Sequence, residues 1–278
     1  MRLMFLGTAA AEGVPAVFCN CATCKAAKEK GGKDVRTRSQ ILIDDDTLFD
    51  FPMDTYMHML RYRLDLSKVM RVLITHSHMD HCYPQEFCMR GGPFAKDMSA
   101  DVVTVFGNVK VCEMFKSDTA REIRPVVAEG ICLRKLSPFD EILSDDMRII
   151  ALPASHTVGE DCLVYYLERG GIGVLLLNDT GVLDKDVYLR LAEKRVNVRA
   201  VALDCTYGAI RHGAGRHMGL YDIVDQKAIM AQAGVIHDDT LVIATHLSHN
   251  TDLDYDGISA IAKDYNIVVA YDGMTIEV

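Results

Sequence analysis

Three histidines and an aspartate fall within six residues at His76-Ser77-His78-Met79-Asp80-His81, directly after the apolar run Val72-Leu73-Ile74. Neutral imidazole and carboxylate are the ligands that borderline divalent ions such as zinc accept. On a helix these four side chains would point around the cylinder and could not converge. At the end of a strand, His76 and His78 lie on one side by the period of two, and a following turn can swing Asp80 and His81 to a neighbouring point. The spacing reads as two ligand sets for two adjacent metals. A solvated histidine cluster is the bland alternative, and the buried-looking strand leading into the motif argues against it.

Other ligand-type residues stand at other strand ends. His156 follows the run at 147–152, Asp179 follows Gly173-Val174-Leu175-Leu176-Leu177, and His246 follows Thr240–Thr245. A carboxylate at position 179 has two oxygens and could bridge two metals; taken alone it could equally cap the helix that follows. Ligands at the same end of several strands meet at one edge of a sheet. A separate cluster, Cys19-Asn20-Cys21-Ala22-Thr23-Cys24, puts three thiols within six residues. Such a set suits a structural zinc site, usually four-coordinate, whose fourth ligand must come from elsewhere.

The elements that would position these groups read as strands in two blocks with helices interleaved. Strands are expected at 2–7, at Ser39–Asp44 and Thr47–Phe51 as a hairpin, and at 70–75, 102–106, 130–136 and 147–152. They continue at 162–168, 172–177, Arg199–Asp204, Thr240–Thr245, Ile267–Tyr271 and Met274–Val278. The run Gly173–Leu177 is almost wholly apolar, as a strand buried on both faces should be. Helices are expected after Cys24 up to Gly31-Gly32, after Pro52, and near 109–117, 184–195 and 222–234, with one more before residue 267. Asp44-Asp45-Asp46 reads as a solvated turn. Tyr83, Phe87, Met89, Arg90 and Phe94 leave directly from the histidine motif and are candidates to wall a pocket. His58 and His237 lack a ligand context.

The chain has 278 residues, 49% hydrophobic and 25% charged, which suffices for one large core, and no linker-like stretch divides it. A single domain over 1–278 is expected. Net charge is −9 and the pI is near 5.5. That balance argues against long nucleic-acid tracks, though not against a small anion bound at metals. No secretory signal or membrane span is legible. Nine cysteines without an export signal argue against a disulfide framework and for a cytoplasmic location.

The pattern His76-x-His78-x-Asp80-His81, then His156, Asp179 and His246, resembles the metallo-β-lactamase superfamily. The resemblance implies an α/β (α+β) fold, a four-layer αββα sandwich with a two-metal site along one edge. It assigns His76, His78 and His156 to a first ion, Asp80, His81 and His246 to a second, and Asp179 to a bridge. Within the superfamily, Gly7-Thr8, Gly13-Val14-Pro15, the cysteine cluster, Asp204-Cys205, His217, Thr245-His246-x-x-His249 and Asp272-Gly273-Met274 resemble the phosphoribosyl cyclic phosphodiesterases (the PhnP-like group). That implies a structural zinc at Cys19, Cys21, Cys24 and His249, with His217 approaching the substrate phosphate and acting in catalysis. Segment 82–110 and the basic loop 208–216 depart from that group.

Two divalent ions about 3.5–4 Å apart can activate water for in-line attack on phosphorus. Asp80 would orient the attacking oxygen and take its proton, and His217 would bind a phosphate oxygen or protonate the leaving alkoxide. Arg211, His212 and Arg216 would add anion affinity. The expected activity is a metal-dependent phosphodiesterase for a small, cyclic or linear, ribose- or nucleotide-type phosphate ester. His/Asp sets accept manganese, zinc or iron. The rivals are an RNA-processing or pyrroloquinoline quinone biosynthesis-like hydrolase, and a non-catalytic metal- or phosphate-binding protein. Ser155-His156-Thr157-Val158-Gly159-Glu160 matches poorly the Gly-His-Thr-x-Gly-His signature of glyoxalase-type thioester hydrolases. Oligomeric state is not legible in the residues; relatives of this kind are often homodimers.

Overall fold

A computed structural model describes residues 1–211, 213 and 215–278. Two seven-stranded sheets face each other. In the first, β1 (Arg2–Gly7) pairs antiparallel with β2 (Gln40–Ile43), and β2 with β3 (Thr47–Phe49). Beyond β3 the sheet turns parallel through β4 (Arg71–Leu73), β5 (Val103–Gly107) and β6 (Ile131–Lys135). In the second, β7 (Glu141–Ser144), β8 (Met147–Pro153), β9 (Leu163–Arg169) and β10 (Ile172–Leu177) run antiparallel. From β10 it continues in parallel through β11 (Val198–Asp204), β12 (Leu241–Thr245) and β13 (Val268–Val269). The last strand, β14 (Met274–Glu277), returns to the first sheet beside β1. The helices are α1 (Ala22–Lys30), α2 (Thr55–Tyr62), α3 (Val109–Thr119), α4 (Pro125–Ala128), α5 (Lys185–Glu193), α6 (Leu220–Gln232) and α7 (Tyr255–Lys263).

The period of two along the buried strands sorts side chains into layers. Val174 and Leu176 of β10, with Ala200 and Ala202 of β11, enter the core between the sheets, where they meet Phe5, Ile41, Phe49 and Leu73 of the first sheet. Leu175, Leu177, Val201 and Leu203 face the other way, against Tyr188 and Leu191 of α5, Ile223 and Met230 of α6 and Ile258 of α7. On the outer side of the first sheet, Leu48, Val72 and Val105 pack against Val111 and Phe115 of α3. The result is the expected αββα sandwich. Each fully buried Leu or Val contributes roughly 1.5–3 kcal/mol, and both sheets are apolar on two faces because each is covered on two faces.

Helix starts follow the side-chain chemistry at their boundaries. The Asn108 carboxamide oxygen accepts from Val111 N (3.0 Å) at the start of α3, and Asp254 accepts from Gly257 N (2.8 Å) at the start of α7. The strand expected at Ile267–Tyr271 narrows to β13. The exposed β7 and the four-residue α4 lie in stretches the apolar pattern did not mark.

The acidic turn 44–46 is not simply solvated. Arg71, 1% exposed, donates to Asp46 Oδ2 (3.2 Å), Asp145 Oδ2 (2.9 Å) and Ser144 O (2.9 Å). Arg169 donates to Asp44 Oδ2 and Asp46 Oδ2, both at 2.8 Å. The carboxylates close the gap between the β2–β3 turn and the β7–β8 turn around two arginines that arrive from elsewhere in the chain. Among the described residues no helix is long and apolar enough to cross a membrane.

Candidate metal centre

The site lies where parallel strands of both sheets end. Phe49, Leu73 and Phe106 stand side by side at the ends of β3, β4 and β5, as do Leu177, Leu203 and Ala244 in β10, β11 and β12. Beyond those ends the chain supplies Asp50, His76 to His81, Asp179, Asp204 and His246. Ligands gather at the carboxyl edge of parallel strands because only there do several loops leave together. Three of these residues bend sharply as they leave. Asp50, Asp179 and His246 have φ of 60°, 56° and 58°, in the left-handed region that non-glycine residues enter at a cost.

All seven residues singled out by the histidine motif and its partners come together here. Ligand-type atoms of His76, His78, His156 and Asp179 lie within 4.8 Å of one another, and so do those of Asp80, His81, Asp179 and His246. Asp179 belongs to both groups. Its Oδ2 lies 3.3 Å from His76 Nε2, 3.1 Å from His81 Nε2 and 3.9 Å from His246 Nε2, and its Oδ1 lies 3.2 Å from His156 Nδ1. His76 Nε2, His81 Nε2, His246 Nε2 and Asp179 Oδ1 are buried without a hydrogen-bond partner. Buried polar atoms are ordinarily paired, so nitrogen and oxygen atoms that converge without hydrogen-bond partners fit divalent cations.

The electrostatics of Asp179, Asp80 and His156 agree with that fit, while His81 would give up a proton to bind metal. Burial disfavours the carboxylates, yet His246 and neighbouring imidazoles hold Asp179 well below the usual range, and His81 does the same for Asp80. Burial pushes the His156 pKa down to about 4, leaving a neutral imidazole. For His81 burial opposes charge, but Asp50 and Asp80 raise its pKa well above the ordinary value.

Outside the ligands, further carboxylates orient the rings. Asp50, fully buried, accepts from His81 Nδ1 (2.7 Å), Thr75 N (2.9 Å) and Thr75 Oγ1 (3.0 Å). Asp204 accepts from Met218 N and Thr206 N and lies 3.2 Å from His246 Nδ1. Such partners fix which ring nitrogen is free to bind metal. Asp50 was hidden inside the strand expected at Thr47–Phe51. Its signal was an apolar strand ending in an acid, the same pattern as Leu177-Asn178-Asp179.

His217 sits in the loop between β11 and α6. Its Nδ1 lies 3.1 Å from Asp204 Oδ2 and 3.0 Å from Asp179 Oδ1, and the side chain is 22% exposed. Burial opposes its protonation, but Asp179 and Asp204 lift its pKa to about 10. Beside it, the Arg216 carbonyl lies 3.2 Å from His156 Nδ1. Arg216 is exposed and, among the described residues, has no acidic partner within ion-pair distance. Arg211 is paired with Asp225, and His212 lies outside the described residues.

The second cluster forms as one unit. Cys21 caps α1, its sulfur accepting from Cys24 N, and so turns Cys24 toward Cys19. His249 Nδ1 lies 3.4 Å from Cys21 Sγ and 3.7 Å from Cys19 Sγ, and all four ligand atoms lie within 4.8 Å of one another. A zinc–sulfur bond of about 2.3 Å implies ligand–ligand edges near 3.8 Å in a tetrahedron, close to the two edges from His249 at 3.4 and 3.7 Å. The Cys24 N–H, then His249, pull the Cys21 thiol down to about 6, while burial pushes Cys24 up to about 11.

Four of the five residues singled out after the histidine motif wall a cavity apart from this centre. Phe87, Met89, Arg90 and Phe94 line a cavity of about 480 Å³ with Phe51, Tyr56 and Met59, and no residue of the histidine–aspartate set borders it. Tyr83 is not among its walls. Arg90 is spent on the carbonyls of Ala100, Asp101 and Gly130. The short 3₁₀ turn Pro84–Met89 carries the chain to the outer face of the first sheet, where Phe87 packs against Phe51 with ring centroids 4.5 Å apart.

Solved structures share this fold over essentially the whole chain. A diphosphatase from the PhnP family aligns with a TM-score of 0.71 at 21% identity, covering 99% of this chain and 97% of that one. Zn(2+)-bound PqqB from Methylobacterium extorquens aligns at 0.70 and 16% identity, covering 100% of both chains. An octanoyltransferase from Porphyromonas gingivalis is 35% identical over 85 residues, 29% of this chain and only 16% of that protein. The family model of the beta-lactamase superfamily domain matches residues 40–248, a span that holds every residue of the histidine–aspartate centre and carries the divalent-metal chemistry of its fold: the chain belongs to the metallo-β-lactamase superfamily of hydrolases.

Proposed function

We propose that this hydrolase cleaves a small phosphodiester of the ribose or nucleotide type, cyclic or linear, at a centre of two divalent ions. His76, His78 and His156 hold one ion, Asp80, His81 and His246 the other, and Asp179 bridges them. Cys19, Cys21, Cys24 and His249 hold a structural zinc. Bound at the centre, the ions supply Lewis acidity, lowering the pKa of water and neutralising charge on phosphoryl oxygens. Manganese, zinc and iron all suit such ligands.

The observation that carries the reading is the pairing of this ligand set with His217, whose Nδ1 lies 3.0 Å from Asp179 Oδ1, and with the neighbouring exposed Arg216. His217 Nδ1 is hydrogen-bonded to Asp204 and lies 3.0 Å from Asp179 Oδ1, and with a pKa lifted to about 10 it is protonated at neutral pH. Its Nε2 therefore donates to a phosphate oxygen or gives a proton to a leaving alkoxide. Arg216 supplies a cation that, among the described residues, has no acid within ion-pair distance. Asp80 orients the attacking water and receives its proton. The likeness to a diphosphatase of the PhnP family supports phosphorus as the centre attacked. A net charge of −9 favours a small substrate over a long nucleic acid. A non-catalytic metal- or phosphate-binding role is the weaker alternative, because no residue of either ligand set is missing.

The test compares manganese- and zinc-loaded wild type with Asp80→Ala on cyclic and linear phosphodiesters. Turnover abolished by the substitution supports the proposal. Wild type that carries two ions at the centre and turns over no phosphodiester overturns it.

A further inference from the structure

Ser77 lies between the ligands His76 and His78, and both of its hydrogen-bond donors are held by one side chain from the loop between β8 and β9. Glu160 Oε1 accepts from Ser77 N (2.9 Å), and Glu160 Oε2 accepts from Ser77 Oγ (2.7 Å). Oε1 also accepts from Asn108 Nδ2 (2.8 Å), which reaches on to Asp161 O (3.0 Å). Among the described residues no cation lies within ion-pair distance of Glu160, so its charge is met by neutral donors alone. That is an arrangement for fixing direction, since N–H and O–H donors have strong angular preferences.

Glu160 stands in the loop that carries His156. The base of this loop is closed by Ala154 N donating to Cys162 O (2.9 Å), and Leu163 N ties it to Thr75 O (2.9 Å), one residue before His76. Asn108 adds α3 to the same node, because its own side chain caps that helix. A single carboxylate thus joins three elements: the turn bearing His76 and His78, the loop bearing His156, and the start of α3. His76, His78 and His156 are the three imidazoles of one ligand set. The second set is steadied by other groups, Asp50 behind His81 and Asp204 behind His246.

We propose that Glu160 is a positioning residue of the metal centre, locking the His76–His78 turn to the His156 loop so that three imidazoles face one ion. The inference rests on the reading of the centre as two metal sets. It assigns to Glu160 a role in affinity for one ion and not the other. Outer partners of metal ligands typically carry about 10–100-fold in affinity or activity, and a carboxylate serving two ligands at once belongs in that range.

The experiment titrates metal-free wild type, Glu160→Ala, Glu160→Gln and Ser77→Ala with cobalt(II) and, by calorimetry, with zinc. The thiolate site is read separately through its sulfur-to-cobalt charge-transfer band. Glu160→Ala is expected to weaken one histidine-bound ion about 10–100-fold and leave the other within about threefold. The same loss is expected in an Asp80→Ala background, where only the His76/His78/His156 set is intact. Glu160→Gln, which keeps an acceptor for Ser77 N, and Ser77→Ala, which loses only the hydroxyl bond, should show smaller losses. If Glu160→Ala does not fold, these two variants decide the matter. Both ions bound as in wild type by every folded variant overturns the clamp, as does an equal weakening of both ions with a lowered melting temperature of the metal-free protein. Wild type that takes up fewer than two ions at the histidine–aspartate centre overturns the two-metal reading itself.

Discussion

Asp50→Asn isolates how the second ligand set is held, because it changes one atom type and almost no volume. The carboxylate is fully buried, with Oδ2 on His81 Nδ1 (2.7 Å) and Oδ1 on Thr75 N (2.9 Å) and Thr75 Oγ1 (3.0 Å). It keeps the His81 proton on Nδ1 and points Nε2 at Asp80 Oδ2 and Asp179 Oδ2, each 3.1 Å away. An asparagine that retains both Thr75 bonds turns its NH₂ group toward His81 Nδ1, donor against donor. The ring then places its proton on Nε2, the atom that must bind metal, or rotates away. The alternative flip leaves Thr75 N without an acceptor, at about 1–3 kcal/mol of fold stability. Where the Thr75 bonds hold, the second ion should weaken about 10–100-fold, or about 1.4–2.7 kcal/mol at 1.36 kcal/mol per decade. A pH signature accompanies the loss. Burial opposes charge on His81, but Asp50 and Asp80 raise its pKa, so in the metal-free protein it holds a proton at neutral pH that metal must expel. Affinity in wild type therefore rises with pH, and the rise should be shallower in Asp50→Asn, where the carboxylate that holds the proton is gone. Zinc calorimetry in buffers of different ionisation enthalpy reads both quantities. An affinity within about threefold of wild type, with the same number of protons released, would refute the reasoning.

Three other expectations are independent of that one. In the metal-free protein Cys21, with a pKa drawn down to about 6, is largely thiolate at pH 7, whereas Cys24, pushed up to about 11, is not. Iodoacetamide mapping should therefore label Cys21 well before Cys24, with zinc suppressing both; equal rates would count against the geometry of the cluster. Arg71→Met removes a guanidinium 1% exposed from between Asp46, Ser144 and Asp145. The cost should be about 3 kcal/mol, the lower end for a broken buried pair because its acids still touch solvent. A melting temperature lower by about 6–12 °C with unchanged metal affinity is the expected result; no shift would mean that the cluster contributes little. Arg216→Ala should raise KM for an anionic substrate about 3–10-fold and leave kcat nearly unchanged. Arg211→Ala, whose guanidinium is already paired with Asp225, should change neither, and equal effects of the two would remove Arg216 from the substrate.

The ligands were legible because their signal is local and chemical. An apolar strand that breaks into His, Asp or His-x-His is readable within ten residues, and His76, His156, Asp179 and His246 each follow that pattern. The apolar strands were legible for the same reason, since Val174–Leu177 has one layer against each face. Legibility stopped where the partner lies far along the chain. The aspartates at 44–46 looked solvated because Arg169, 123 residues beyond Asp46, is invisible from the turn itself. Aromatic residues after His81 suggested a substrate pocket because adjacency in sequence stood in for adjacency in space. The chain instead turns through Pro84–Met89, and Phe87 and Phe94 wall a cavity against the outer sheet face.

The residues that hold the ligands share that non-local character. Asp50 and His81 are 31 positions apart, and Glu160 and Ser77 are 83 apart; in sequence each of these acids reads as surface polarity at the end of a strand or in a loop. Local preference also opposes what the site requires. Asp50, Asp179 and His246 all adopt φ near 60°, which propensity would assign to glycine. Glycine there would relieve the backbone and supply no ligand and no orienting carboxylate. A position where conformational preference and required chemistry conflict keeps its side chain only if the surrounding structure enforces the strained backbone. At Asp50 the enforcement is visible: its N–H donates to Leu73 O (2.8 Å), and its carbonyl accepts from the buried Gln40 side chain (3.1 Å). Gln40 is in turn met by His58 Nδ1 (2.7 Å). His58, a histidine without ligand context in the sequence, thus acts two hydrogen bonds behind the carboxylate that aims His81.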